Sequence, residues 1–179
     1  YTLSLTNMEV ACMFEDMVKG WFGGESETAY NDFVKALLIN DVDAMNEFMN
    51  EIALQSFSSF DTAKRVSSKD APERFYHGFV LGLMVELEGR YRITSNRESG
   101  FGRYDIMLTP TDRERDCAYI IEFKVYKPMK EKDLMETVEN AHKQIVEKRY
   151  EAQLAADGFA PERIRKYGFA FKGKECLIG

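Results

Sequence analysis

Two carboxylates and one ammonium group are the residues in this sequence best placed to do chemistry. Asp105 stands in the string Gly-Arg-Tyr-Asp-Ile, and Glu122 and Lys124 stand in Ile-Ile-Glu-Phe-Lys-Val. Both strings read as β-strands, and side chains two apart on a strand share a face. Glu122 and Lys124 therefore point one way, while Ile121, Phe123 and Val125 point the other way into a core. In the preceding strand Arg103 and Asp105 share a face, so pairing of the two strands brings Asp105 beside Glu122. One or two carboxylates, with waters and a phosphate oxygen, complete an octahedral Mg²⁺ shell at about 2.0–2.1 Å. Such an ion lowers the pKa of a bound water and neutralises charge growing on a phosphate. A lysine alongside can orient that water or help to deprotonate it. The competing use of Glu-x-Lys is a solvated ion pair on a strand. Here, however, the two charges interrupt an otherwise apolar run, where charge is costly unless paired or metal-bound.

The elements that must position these groups can be read outward from them. Three strand-like runs, 91–98, 103–110 and 117–125, are joined by the turns Ser-Gly-Phe-Gly (99–102) and Thr-Asp-Arg-Glu-Arg-Asp (111–116), which predicts an antiparallel meander. Pro72 suits the first turn of a helix before them, apolar on most sides from Phe75 to Leu87 and ended by Gly89. A long helix is expected after them, from about Lys132 to Leu154, with Leu134, Val138, Ala141, Ile145 and Tyr150 at helical intervals. A short helix at 161–165, a strand at 166–174 and a final short strand close the chain. Upstream, helices are predicted over 8–22 (capped by Asn7), 27–39, and from Asp41 or Asp43 to about Phe57, with a polar connection over 58–71. Helices on a small mixed sheet make an α/β sandwich.

The string Asn-Arg-Glu-Ser-Gly-x-Gly-Arg-Tyr-Asp-Ile, a turn and then Ile-Ile-Glu-Phe-Lys resembles the active-site hairpin of the PD-(D/E)XK nuclease superfamily. The branch it resembles is the one found after an AAA-type ATPase domain in bacterial proteins. Glu-Arg-Phe-Tyr-His-Gly-Phe before it, and Ala-x-Lys-Gln-Ile after it, fit the same branch. The resemblance covers about residues 72–174. It implies a restriction-endonuclease-like α/β/α core over 71–179, with residues 1–70 as an acidic helical extension leading in from an ATPase-like domain. It further implies that Asp105 and Glu122 hold Mg²⁺ or Mn²⁺, that the Phe123 carbonyl adds a ligand, and that Lys124 is the catalytic lysine. Glu73, early in the first core helix, corresponds to a glutamate that reaches the metal in relatives, and it equally suits a first helical turn electrostatically. Gln144 corresponds to a glutamine that bridges to the lysine or to a phosphate, or is a helix-surface residue. His77 and Glu98 read more simply as a core histidine and a turn residue, and Tyr150, which corresponds to a tyrosine that helps shape the site in relatives, reads more simply as a helix-surface residue. Tyr104 replaces the proline of the superfamily's name.

Composition sets the outer limits. The 179 residues are 45% hydrophobic, enough for one core, and 30% charged. No apolar run approaches the roughly 18 residues a membrane span needs. Cys12, Cys117 and Cys176 are scattered, which argues against a disulfide framework and for a reducing, cytoplasmic setting. The net charge of −6 is unevenly placed: residues 1–70 hold 12 Asp/Glu against 5 Lys/Arg, and residues 71–179 hold 18 against 19. A local basic face is therefore open to the second part, where Lys127, Lys130, Lys132, Lys143, Lys148 and Arg149 follow the Glu-x-Lys strand, mixed with acids. Two functions compete at this point. One is a metal-dependent nuclease acting on DNA. The other is a catalytically silent module of the same fold that binds nucleic acid or protein, or regulates an upstream ATPase.

Overall fold

The computed structural model describes residues 27–56 and 71–179; the side chains of 27–31, 55–56, 71–75 and Glu86 lie outside that description. The expected helix over 8–22, the polar connection and Cys12 fall outside the described residues. In chain order the elements are helices α1 (Glu27–Ile39), α2 (Val42–Ser56) and α3 (Ala71–Leu83), then a 3₁₀ turn at Val85–Leu87. Strands β1 (Tyr91–Ser95), β2 (Glu98–Ser99), β3 (Gly102–Arg103), β4 (Ile106–Pro110) and β5 (Ala118–Val125) follow. The chain ends with α4 (Leu134–Glu147), α5 (Ala152–Ala156), a 3₁₀ turn at Pro161–Arg163, β6 (Ile164–Lys172) and β7 (Glu175–Ile178).

The main sheet has the order β1-β4-β5-β6-β7, with β5 and β6 parallel and the other neighbours antiparallel. Parallel neighbours need a crossover, and α4 and α5 supply it. The alternation of β5 sorts its side chains between two cores. Tyr119, Ile121 and Phe123 join Val80, Leu83, Phe169 and Phe171, together with Phe33, Leu37, Met45 and Met49 of α1 and α2. Ala118 and Ile120 face Ile145, Tyr150, Leu154 and Phe159 on the opposite side. The result is a mixed five-stranded sheet between helices, the restriction-endonuclease-like α/β arrangement, with the N-terminal helices on the first face. Tyr76 of α3 stacks flat on Phe171, 4.0 Å between centroids, and its hydroxyl donates to the Gly173 carbonyl at 2.7 Å. Removing a core ring such as Phe123 or Phe169 would cost about 3–5 kcal/mol.

Asp41 caps α2 by accepting from Ala44 N at 3.0 Å. The helix lies along β7. The Asn46 side chain both donates to and accepts from the Ile178 backbone, each at 2.8 Å. One turn later Asn50 does the same to Cys176, at 2.8 and 2.9 Å.

Two expectations need correction. The first two strands are shorter than the sequence suggests. Asn96 takes φ +52° and ends β1, and its N–H turns to the Asp105 carbonyl at 3.0 Å. The chain then forms the separate two-stranded ribbon β2–β3, so Arg103 pairs with Glu98 there and shares no strand face with Asp105. The long helix is also broken. Arg149 takes φ +52° after α4, and Lys148 O accepts from Phe101 N at 2.7 Å instead of continuing a helix. Helical periodicity continued through 150–154 because Tyr150 and Leu154 are buried in the same core on both sides of the break.

Candidate active site

The site lies where the β4–β5 ladder stops. Its last registered pair is Ile106 with Ile121. One step further Asp105 lies outside any strand, and Phe123 N donates to its Oδ2 at 2.8 Å in place of another backbone rung. The junction is held from behind, by Asn96 N on the Asp105 carbonyl and by Tyr104 N on the Arg97 carbonyl at 3.2 Å. Tyr104 points into the core beneath α4, 6.3 Å edge-on to Tyr150. The antiparallel register, carried one step past Ile106 and Ile121, sets Asp105 opposite Glu122.

Glu122 is 2% exposed. Its Oε1 accepts from Lys124 Nζ at 2.8 Å and from Gln144 Nε2. Gln144 Oε1 accepts from Lys124 Nζ at 2.7 Å, and its Nε2 also donates to the Tyr150 hydroxyl at 2.9 Å. The partners dictate the amide's orientation, since an ammonium group can only donate and a carboxylate can only accept. Lys124, Glu122, Gln144 and Tyr150 thus form one polar network between the end of the central strand β5 and α4.

The helix that supplies Gln144 is brought close by Gly168. That residue pairs in register with Glu122, and a Cβ there would lie 2.9 Å from both Ala141 Cβ and Val138 O. The start of α4 is set by Asp133, whose side chain accepts from Glu136 N. Tyr150 reaches Gln144 because the chain turns at Arg149 after α4. That turn is pinned by Ser99, whose Oγ donates to the Tyr150 carbonyl at 2.7 Å. Gly168 and Ser99 were not singled out in the sequence. A glycine inside an otherwise aromatic strand is the signal that marks Gly168 as a place of close approach.

The electrostatics follow from burial. Desolvation pushes the Asp105 carboxyl above the ordinary aspartate value, opposed by the hydrogen bond from Phe123 N–H and by the nearby His77 and Lys124. Burial likewise raises the Tyr150 phenol; the Gln144 bond opposes this, and the charges of Glu122 and Asp105 add to it. His77 packs on the Phe123 ring, 5.5 Å between centroids, with Nε2 at 2.7 Å from Ser95 Oγ and Nδ1 at 3.3 Å from Asn96 Nδ2. It buttresses the junction that carries Asp105.

Of the residues named from sequence, the structure brings Asp105, Glu122, Lys124 and Gln144 together. Glu73 lies in the first turn of α3, and its side chain is outside the described residues. Glu98 is exposed on the β2–β3 ribbon. Among the described residues no group of three or more His, Cys, Asp or Glu side chains is assembled to hold a metal. Among the described side chains the candidate donors are two adjacent carboxylates, Asp105 and Glu122. Backbone N–H and C=O of one strand residue point to the same side, so the Phe123 carbonyl faces the Asp105 edge as its N–H does. Two carboxylates with waters suit Mg²⁺, which seldom takes an all-protein shell.

A cleft of about 370 Å³ opens beside Lys124 and Gln144, lined by Lys127, Lys130, Lys143 and Lys148 with Glu131, Asn140 and Glu147. Glu131 is bound to Lys127 N, Thr137 Oγ1 and Asn140 Nδ2, and Glu147 lies 3.8 Å from Lys143. Lys127, Lys130 and Lys148 form no ion pair among the described residues.

The family model described as the PD-(D/E)XK nuclease superfamily matches residues 71–179. No curated protein and no solved structure matches the chain.

Proposed function

The chain belongs to the PD-(D/E)XK nuclease superfamily, and from that premise we propose that it is a metal-dependent nuclease that hydrolyses phosphodiester bonds of DNA. The observation that carries this reading is the Lys124 ammonium. It is held between Glu122 and Gln144 next to Asp105 and opens onto a lysine-lined cleft. Asp105, Glu122 and the Phe123 carbonyl are the groups that would hold Mg²⁺ or Mn²⁺, with Glu73 as a further candidate. The ion, when bound, would supply an activated water and charge neutralisation at the phosphate.

The chain's own residues divide the remaining work. Lys127, Lys130 and Lys148 attract the phosphate backbone and hold it along the cleft. Lys124 Nζ, fixed by two acceptors, points its remaining N–H at the reacting phosphate or at the attacking water, and stabilises charge where it grows. Gln144 keeps Lys124 in that position and is itself held by Tyr150.

Cleavage of a panel of DNA and RNA forms in Mn²⁺ tests the proposal. Wild type should cut at least one DNA form, and Lys124→Ala should lose about two orders of magnitude or more, as expected for a positioned group of this kind. Equal activity in both would end the catalytic assignment. A second reading, a silent module of the same fold, is favoured by the two anchors that already hold Lys124. Calorimetric titration with Mg²⁺ or Mn²⁺ separates the two, because a silent module should bind no ion that Asp105→Ala removes. We place the chain at the C-terminal side of an ATPase-like domain in a bacterial, cytoplasmic protein on the resemblance of its motifs. Cys117 and Cys176 are free, and among the described residues no helix is long and apolar enough to cross a membrane. Co-purification with the upstream domain tests that linkage.

A further inference from the structure

The β2–β3 ribbon ends in a two-residue turn, Gly100-Phe101, and Phe101 is 71% exposed. Every other Phe and Tyr whose side chain is described is buried or half-buried. The ring does not hang on a loose loop. Phe101 N donates to Lys148 O at 2.7 Å, and Ser99 Oγ, beside the turn, bonds the Tyr150 carbonyl and accepts from Gln153 N at 3.2 Å. Gly100 takes φ +62° and sits so near the α4 exit that a Cβ would lie 2.2 Å from Lys148 O and 2.3 Å from Arg149 O. The turn is thus clamped to the same backbone segment that aims Tyr150 at Gln144, which places the ring at a set distance from the candidate active site.

The surroundings of the ring are basic. The Arg149 guanidinium lies over it, 5.7 Å from the centroid. Arg97, Arg103, Lys148 and Arg149 are all exposed, with no ion pair among the described residues, and Glu98 is the acid on the ribbon. Lys148 belongs to both neighbourhoods: it lines the lysine cleft, and its aliphatic carbons would meet a Cβ on Gly102 at 3.1–3.2 Å. A strand of phosphates followed along the cleft past Lys148 therefore arrives at an apolar ring backed by a guanidinium. Every nucleobase has a π-face that stacks on such a ring without regard to sequence, and backbone charge supplies the rest of the affinity. Bases inside an intact duplex are already stacked on each other and do not offer that face.

We propose that Phe101, backed by Arg149, is a stacking platform for an unpaired nucleotide, so that the preferred ligand is single-stranded or frayed-end nucleic acid rather than continuous duplex. This inference rests on the nucleic-acid reading above and adds the substrate class to it.

Fluorescence anisotropy on the full chain tests it, in EDTA to prevent cleavage, with a labelled single-stranded oligonucleotide and a blunt duplex of the same sequence. Phe101→Ala and Phe101→Leu should weaken single-strand binding about 5- to 150-fold, the range for loss of one stacked base. Phe101→Trp should retain it, and duplex binding should be unchanged in all three. A 2-aminopurine placed in the single strand should be quenched by wild type and not by Phe101→Ala. Equal single-strand affinity in wild type and Phe101→Ala overturns the platform while leaving the nuclease proposal standing, and so does an equal loss on both ligands. Loss of a protein–protein contact in Phe101→Ala with DNA affinity untouched gives the ring to a protein partner and also overturns it. Wild type that binds neither DNA removes the nucleic-acid reading and this inference together.

Discussion

Replacing Gln144 with leucine should cost far more than a substitution at a half-buried helix position usually does, and most of the excess should vanish when Tyr150 is changed as well. Gln144 makes three hydrogen bonds, to Lys124, Glu122 and the Tyr150 hydroxyl. Two involve charged partners and contribute about 1.5–3 kcal/mol each in a buried setting. Lys124 and Glu122 retain each other at 2.8 Å, and Lys124 is partly exposed, so the lower end of that range applies. Tyr150 is 1% exposed, and its hydroxyl has no second partner among the described residues. Orphaning it costs a further 1–3 kcal/mol, roughly. Gln144→Leu should therefore destabilise by about 4–6 kcal/mol, read as a lowered urea midpoint, or as a Tm lower by about 2–4 °C per kcal/mol for a chain of this size. Tyr150→Phe alone should cost about 1 kcal/mol, the net worth of one neutral hydrogen bond. The double variant carries no orphaned hydroxyl, so its loss should fall short of the sum of the singles by about 1–3 kcal/mol. Additivity within about 0.5 kcal/mol would mean that Tyr150 does not hold Gln144 in solution, and the account of how Lys124 is positioned would fail with it.

Gly168→Ala should destabilise by about 1–3 kcal/mol by wedging α4 away from β6, since its Cβ would meet Val138 O and Ala141 Cβ at 2.9 Å; an unchanged urea midpoint would refute the close approach. The same variant should lower cleavage more than it lowers substrate binding, because the displaced helix carries Gln144. At the far end of the sheet the Arg90 guanidinium grips Asp116 at 2.5 and 2.9 Å and holds its carboxyl below the ordinary aspartate value. A carboxylate depressed on folding contributes stability that is fully present above its unfolded value and drains away as pH falls through its folded value. Asp116→Asn should accordingly lose about 1–2 kcal/mol at neutral pH, discounted because Arg90 is 45% exposed. The gap from wild type in urea midpoint should close only below about pH 4, and a gap that closes near pH 7 would assign it to another group.

Much of the architecture was legible in the sequence because apolar periodicity and burial coincide there. The helices at 27–39 and from Asp41 onward, the three-strand meander and the final two strands all follow from side chains that lie on one face of their own element. Glu122 and Lys124 could be placed on one face for the same reason. What could not be read were the points where the backbone abandons an element for a side-chain partner. Asn96 and Arg149 adopt positive φ without being glycine, and nothing local to Ser-Asn-Arg or Lys-Arg-Tyr announces it. The compensating bonds, from Asn96 N to Asp105 O and from Phe101 N to Lys148 O, join residues 9 and 47 positions apart. Tyr150 reads more simply as a helix-surface residue, yet its ring is buried in the core, and only the turn at Arg149 shows that its hydroxyl meets Gln144.

The paired asparagines of α2 bear on what the border of the sheet offers to other chains. A strand at the border of a sheet exposes a row of N–H and C=O groups that any other extended chain can zip onto. Asn46 and Asn50 fill that row on β7, their amides imitating the backbone of a neighbouring strand. Helix α2 therefore acts as a guard rail for this border of the nuclease-like fold. Residues 71–179 excised on their own would present a raw border and should polymerise through it, whatever becomes of their chemistry.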